Sequence, residues 1–335
     1  MTARPAELHD EDRGWSAAEV SVATVAFVLA SLAIATRTAW VSSATALVAA
    51  GLFFTIIAGG YIAFSVAGVR YALRSAVAGR GPVARLLLGP ALLLTATIAY
   101  AAAAGLPVAP RLGGYAAYLL VPPLFLAGSR RQDVDEPQVP ARELALIFAL
   151  WLPIEFRVLP ALPLPVPDGL DMRKLVGLVD AMYLFLIARP LSRVGYTYRL
   201  TTRDVTTAVA VFLVYAVVAL PVGFATGFIA WHPRLDAAHI AGAPLIIYLV
   251  TGVPEEFLFR GLLQNLLARW LGRRAGLGVA AAIFGLAHLP DWRYVLLATI
   301  AGLAYGWVYQ RTQRITASAI THALVDGTWV ALLGG

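Results

Sequence analysis

Cysteine is absent from the 335 residues, so the chain has no thiol nucleophile, no disulfide and no thiolate metal ligand. Charge is scarce too. Asp, Glu, Lys and Arg make up 13% of the chain, against about one quarter in soluble domains. With 60% apolar residues and a mean hydropathy of +0.76, that scarcity excludes a soluble domain of ordinary composition. Lysine is nearly missing, Lys174 being the single one, and the Ala, Leu and Arg bias is that of a bacterial protein from a GC-rich genome. The opening MTARPAELHDEDRGW is too acidic for a signal-peptide n-region, so the first apolar run reads as a retained membrane helix.

What is present is a series of apolar runs long enough to cross about 30 Å of hydrocarbon. Candidate spans cover roughly 17–35, 41–69, 86–105, 114–128, 143–160, 174–188, 205–230, 240–268, 275–290, 294–310 and 315–333. Several are short or proline-broken. The expected fold is therefore an all-α, polytopic transmembrane helix bundle of about nine to eleven spans. Basic residues alternate between the connections. Sixteen fall after even-numbered spans, including Arg70, Arg74, Arg130, Arg131, Arg142, Arg199, Arg203, Arg269, Arg273, Arg274, Arg311 and Arg314. Seven fall after odd-numbered spans, among them Arg37, Arg111, Arg157, Arg234 and Arg293. By the positive-inside rule the even connections and the N-terminus are cytoplasmic, in a bacterial inner membrane. The net charge of +7 is met by anionic headgroups and requires no nucleic acid.

Ionisable groups at membrane depth cost about 2.5–3.5 kcal/mol each on insertion scales, so they are expected to face a protein interior and to serve function. They concentrate in the last third: Glu255, Glu256 and Arg260 in TGVPEEFLFRG, His288 in FGLAHLP, His322 and Asp326 in THALVDG. Counting about 1.5 Å per residue from the nearest arginines puts Glu255 and His288 about 21 Å deep, and His322 and Asp326 about 12 and 18 Å. One layer near the bilayer middle thus collects them. Glu256 and Arg260 are i,i+4 with the acid first, the favourable order for a pair on one helix face. Glu255 points about 100° away and is the acid left for chemistry. Pro254 is expected to begin a new helical segment with both glutamates in its first turn. Phe284 and His288 share a face, as do His322 and Asp326.

The ordered motifs E-E-x-x-x-R, F-x-x-x-H and H-x-x-x-N/D resemble the CPBP family of CAAX prenyl proteases and bacteriocin-processing enzymes, also called Abi. The resemblance covers about residues 205–333 and suggests two domains, N-terminal helices of unnamed role over 1–200 and a catalytic membrane domain over 201–335. It implies an intramembrane endopeptidase that opens to the cytoplasm and acts on a membrane-anchored peptide or protein. Glu255 would be the base, His288 would position water, and His322 with Asp326 would stabilise the oxyanion. Glu256, Arg260 and Phe284 would support them. Asp326 departs from the family, where prenyl-protease members carry asparagine. No cofactor is expected. A zinc-dependent variant would use Glu255, His288 and His322, although no H-E-x-x-H joins the five histidines. Other intramembrane protease signatures, G-x-S in a span or a G-x-G-D and Y-D pair, are missing. The competing classes are a non-catalytic scaffold or bacteriocin-immunity protein, and a secondary transporter, which would show inverted symmetry between halves.

Outside the cluster, Glu155 and Arg157 read as an ion pair and Asp180 as a packing or helix-bonding residue. His232, Asp236 and His239 read as a solvated turn, and Trp40, Trp270, Trp292 and Tyr294 as interface anchors.

Overall fold

The computed structural model describes residues 18, 21–26, 28–29, 43–106, 109–127, 140–160 and 171–333. Of the expected first span only the described residues, all helical, can be placed, and Arg4, Arg13, Arg37, Trp40, Arg130 and Arg131 lie outside them. The protein is an all-α, polytopic bundle, 81% helical with no strand among the described residues. It divides into two compact units, residues 1–131 with 141–191, and 132–140 with 192–335.

In the first unit α1 (Ala44–Ala63), α2 (Ala67–Ala78), α3 (Pro82–Ala103) and α4 (Ala109–Leu120) precede a 3-10 turn at Pro122–Leu126. Helix α5 (Ala141–Glu155) and α6 (Met172–Met182) follow, α6 running on into a π turn at Tyr183–Ala188. Ser43 caps α1 by accepting from the Ala46 N–H at 3.1 Å. The α1–α3 contact is aromatic: Phe53 and Phe54 lie 5.4 and 6.1 Å from the Tyr100 ring. Helix α2 corrects one expectation, since Arg70 and Arg74 sit on a helix rather than in a loop. Arg70 is buried and donates to the Phe64 carbonyl at 2.8 Å, while Arg74 donates to the Leu186 carbonyl at 2.8 Å. These arginines therefore cap carbonyls inside the protein.

One further expectation changes here, and one is narrowed to the first of its two alternatives. Glu155 accepts from Trp151 Nε1 at 3.2 Å and makes no ion pair with Arg157, which follows the helix end in a left-handed conformation (φ 55°). Asp180 is fully buried, and neither carboxyl oxygen has a hydrogen-bond partner, so it packs without the interhelical bond its position suggests.

The second unit holds α7 (Thr202–Ala225), α8 (Ala238–Leu271), α9 (Arg273–Leu286), α10 (Trp292–Thr312) and α11 (Ile315–Thr328), which ends in a π turn at Trp329–Leu333. A capping box starts α7: Thr201 accepts from the Asp204 N–H at 3.2 Å, and Asp204 accepts from the Thr201 N–H at 2.8 Å. Arg314, in the tight turn between α10 and α11, pairs with the same Asp204 at 3.3 Å. Gln313 closes α10 in the left-handed region (φ 53°) with its N–H on the Tyr309 carbonyl at 2.8 Å. Gly195 (φ 71°) lies so close to the Gln313 carbonyl that a Cβ there would collide with it.

Among the described residues α1, α3, α7 and α8 are long and apolar enough to cross a membrane by length and composition. Helices α9 (14 residues) and α11 (14 residues before its π turn) are short, and α10 carries arginine at both ends.

Candidate active site

Helix α8 carries the acid pair, and its backbone is not a plain α-helix. A π turn at Tyr248–Gly252 precedes one α turn, Val253–Glu256, and a second π stretch runs from Phe257 to Gln264. Pro254 stands where pitch changes, but the chain stays helical through it, Gly252 having φ −59° and ψ −58°. The expected new helix with a free N-terminus is therefore not formed. The Val253 N–H already reaches the Tyr248 carbonyl through the π turn, so the carbonyls around the proline are accommodated by widening rather than breakage.

Register between α8 and α10 rests on small residues. Arg260 Nη2 donates to the Gly302 carbonyl at 3.2 Å, and one turn on, Gln264 Nε2 donates to the Gly306 carbonyl at 3.0 Å. Gly302 and Gly306 are four apart, as are Arg260 and Gln264. A Cβ on Gly302 would sit 3.0 Å from the Ala281 Cα, so α9 and α10 close on a small-residue seam that lets the side chains of α8 reach backbone.

Glu256 is the centre of the cluster. It is 0% exposed, and its Oε1 accepts from Arg260 Nη1 at 2.9 Å, the i,i+4 pair expected from the sequence. The same oxygen lies 3.0 Å from His322 Nδ1, and Oε2 lies 2.5 Å from Ser318 Oγ. Ser318 also reaches the Tyr305 carbonyl at 2.8 Å, its single proton serving one acceptor at a time. The Arg260 guanidinium stacks over Phe284 at 4.6 Å and Tyr305 at 5.1 Å. A buried carboxylate thus has a cation, a hydroxyl and an imidazole about it, as burial demands.

His322 is 3% exposed and stacked on Tyr305, centroids 4.7 Å apart at 15°. Its Nε2 faces the other two acids, 3.3 Å from Asp326 Oδ2 and 3.8 Å from Glu255 Oε2. One imidazole therefore joins all three carboxyl groups, with Glu256 behind it and Glu255 and Asp326 in front. The front acids are open, their side chains 31% and 40% exposed. His288 Nδ1 lies 2.8 Å from the Phe284 carbonyl, which makes Nδ1 the donor and leaves Nε2 the lone pair. Its ring stands edge-on to Tyr294 at 4.3 Å, so Tyr294, 41% exposed, lines the site as well.

Glu255, His288, His322 and Asp326 line one cavity of ≈ 380 Å³. The residues missed from sequence are Ser318, Tyr305 and Tyr294. Ser318 was legible, four residues before His322 and eight before Asp326 on one helix face; the tyrosines carry no spacing signal. Among the described residues no group of three or more His, Asp or Glu side chains has a metal-holding arrangement. His288 Nδ1 meets a backbone carbonyl and His322 Nδ1 meets Glu256, contacts that leave each Nε2 directed to the cavity.

The lining of the cavity bears on the expected orientation. Its walls are Tyr215 and Leu220 on the C-terminal half of α7, Ile247 and Thr251 before Glu255 on α8, Tyr294 and Leu297 at the start of α10, and Trp329 and Leu333 beyond Asp326. Arg199 and Arg203, Arg269 and Arg273, and Arg311 and Arg314 all lie at the other ends of these helices. The cavity thus runs from the acids away from the arginine-rich connections. If those arginines are cytoplasmic, the cavity-lining half of each helix lies toward the other face. Because the chain has no cysteine, single thiols report the sides directly. Thr328→Cys in the cavity and Arg274→Cys in the arginine belt are expected to react with a membrane-impermeant maleimide from opposite sides of sealed vesicles. Labelling of both from one side would contradict the geometry.

Comparison with known proteins bears on this same stretch. Residues 237–328 match the Rce1-like family, type II CAAX prenyl endopeptidases. The Rce1-like region holds Glu255, Glu256, Arg260, His288, His322 and Asp326, and the first unit lies outside it. No curated protein and no solved structure matches the chain. The match agrees with the resemblance read from the motifs, and the polar cluster falls inside the matched residues.

Proposed function

We propose that the protein is an intramembrane endopeptidase in which Glu255 activates water against a peptide bond of a membrane-associated substrate. The observation that supports it is one imidazole, His322, set between a buried, fully bonded Glu256 and two cavity-facing acids. Glu255 removes a proton from water as the oxygen attacks the carbonyl carbon. His288 Nε2, the ring atom left with a lone pair, accepts the second water proton as a hydrogen bond and fixes the water's lone pair toward the carbonyl. The oxyanion is met by the Nε2–H of His322, which Glu256 orients through Nδ1. Asp326 is given an orienting role rather than that of an oxyanion donor. It sits beside Nε2 and holds the ring in place. Collapse breaks the C–N bond, and the proton held by Glu255 passes to the leaving amine, returning the carboxylate.

The reading calls for no metal, and among the described residues no group of three or more His, Asp or Glu has a metal-holding arrangement. Purified protein in liposomes, given membrane-anchored peptides, is expected to release new termini at a rate unchanged by a chelator. Stoichiometric zinc in active protein, with activity lost on its removal, would replace this mechanism by the metal-dependent one. A chain that folds and binds peptides yet never cleaves them would be the non-catalytic scaffold.

A further inference from the structure

We propose that Ser318 is a positioning residue of the peptide-cleaving reaction, acting through Glu256 to aim the Nε2–H of His322 at the oxyanion. This rests on the protease reading above and adds to it a residue outside the three motifs. Ser318 lies one turn before His322 on α11, is 0% exposed and does not line the cavity. It is too deep to touch substrate. Any effect it has on the rate passes through its neighbours.

The hydroxyl has one proton and two acceptors in reach, Glu256 Oε2 at 2.5 Å and the Tyr305 carbonyl at 2.8 Å. The carboxylate is the better claimant. Tyr305 lies inside α10, where each carbonyl already serves an N–H one turn further on. Glu256 Oε2 has no such alternative. Arg260 Nη1 and His322 Nδ1 both meet Oε1, and among the described residues Ser318 is the one donor at Oε2. A hydrogen bond to a charged acceptor is also about twice as strong as one between neutral groups. Ser318 therefore donates to Glu256.

That bond decides which way the carboxylate faces. The last torsion of a glutamate is broad, so its rotamer alone does not fix where the two oxygens point. With Oε2 pinned to α11, Oε1 is shared between Arg260 and His322 Nδ1. Without the pin, the guanidinium is the stronger partner and can draw both oxygens onto itself, because a fork of two parallel bonds suits it. Arg260 does not follow the carboxylate, being held at the Gly302 carbonyl and between the Phe284 and Tyr305 rings. Oε1 then leaves Nδ1. The imidazole keeps its stacking on Tyr305, centroids 4.7 Å apart, but loses the contact that sets its rotation within that plane. Asp326, 3.3 Å from Nε2, takes a larger share of the ring, on the side where the oxyanion forms.

Three variants separate the hydroxyl from its volume. Ser318→Ala removes the oxygen, while Ser318→Thr and Ser318→Val place side chains of one shape in the site, of which only Ser318→Thr keeps a hydroxyl. In liposomes with a membrane-anchored peptide, Ser318→Ala and Ser318→Val are expected to lower kcat about 10–100-fold with KM nearly unchanged, the pattern of a misplaced transition-state contact. Ser318→Thr should recover most of what Ser318→Val loses. Equal kcat in those two, Ser318→Ala at the parent rate, or a loss confined to KM overturns the inference, and the protease reading stands if Glu255→Gln still abolishes cleavage. Cleavage that Glu255→Gln leaves unchanged sinks the protease reading instead. If the parent cleaves nothing, nitrogen NMR spectra of histidine-labelled protein in lipid decide, with His322 assigned by the signal missing from His322→Gln. A His322 Nδ1 signal that moves in Ser318→Val and returns in Ser318→Thr supports the positioning role, and one that stays in place in all three variants overturns it.

Discussion

Glu255→Gln should lower kcat by about 10²–10⁴-fold, the range for removing a positioned general base, while leaving the protein folded. The amide keeps the shape of the side chain and removes its ability to take a proton. Glu255 stands at the cavity, 31% exposed and 3.8 Å from His322 Nε2, so its replacement opens no void and leaves no buried charge alone. Unfolding temperature in detergent should accordingly stay near that of the parent. Asp326→Asn is expected to act more gently, because that carboxyl orients the ring rather than taking the water proton. Retention of more than about a tenth of the parent rate by Glu255→Gln would remove Glu255 from the role of base and return the choice to Asp326.

Removal of Arg260 should have the largest effect on stability, about 3–5 kcal/mol for Arg260→Met, the range for breaking one side of a buried ion pair. The reason is what stays behind. Glu256 is 0% exposed, and without Arg260 it keeps only Ser318 and His322 as partners. The Gly302 carbonyl also loses its donor, and Phe284 and Tyr305 lose the cation between them. The double variant Arg260→Met with Glu256→Gln should recover a large part of the loss, since both charges leave together. Reversible denaturant unfolding in a lipid-like detergent reads both numbers. A loss below about 1 kcal/mol in the single variant would mean that Glu256 is not a buried anion, and that its pairing with Arg260 is not what holds α8 against α10.

The expectations that held are those that depend on one helix alone. Glu256 and Arg260 meet because a helix puts i and i+4 on one face, and His322 and Asp326 meet for the same reason. Of His232, Asp236 and His239, read as a solvated turn, the first two are exposed, while His239 lies in the first turn of α8 with its Nδ1 2.6 Å from Asp236. Pitch already breaks this reasoning. The π turns of α8 are invisible in composition, and with them the continuity of the helix through Pro254 was read as a restart. Ser318 falls between the two cases, being on the legible face of α11 but unremarkable until Glu256 is found opposite it.

By itself the sequence determined the membrane character, the all-helical class and the identities of the polar residues that cluster. Each follows from a local quantity, hydropathy along a run or spacing within a turn. Only the tertiary structure decided that His322 joins Glu256 to the two open acids, and that Tyr305 and Tyr294 wall the histidines. It alone decided that the cavity leads away from the arginines. Those facts depend on how far α8, α10 and α11 slide past one another, which the glycine seam at 302 and 306 and the Asp204–Arg314 pair fix across more than a hundred residues of chain. No periodicity within one helix contains the offset between two.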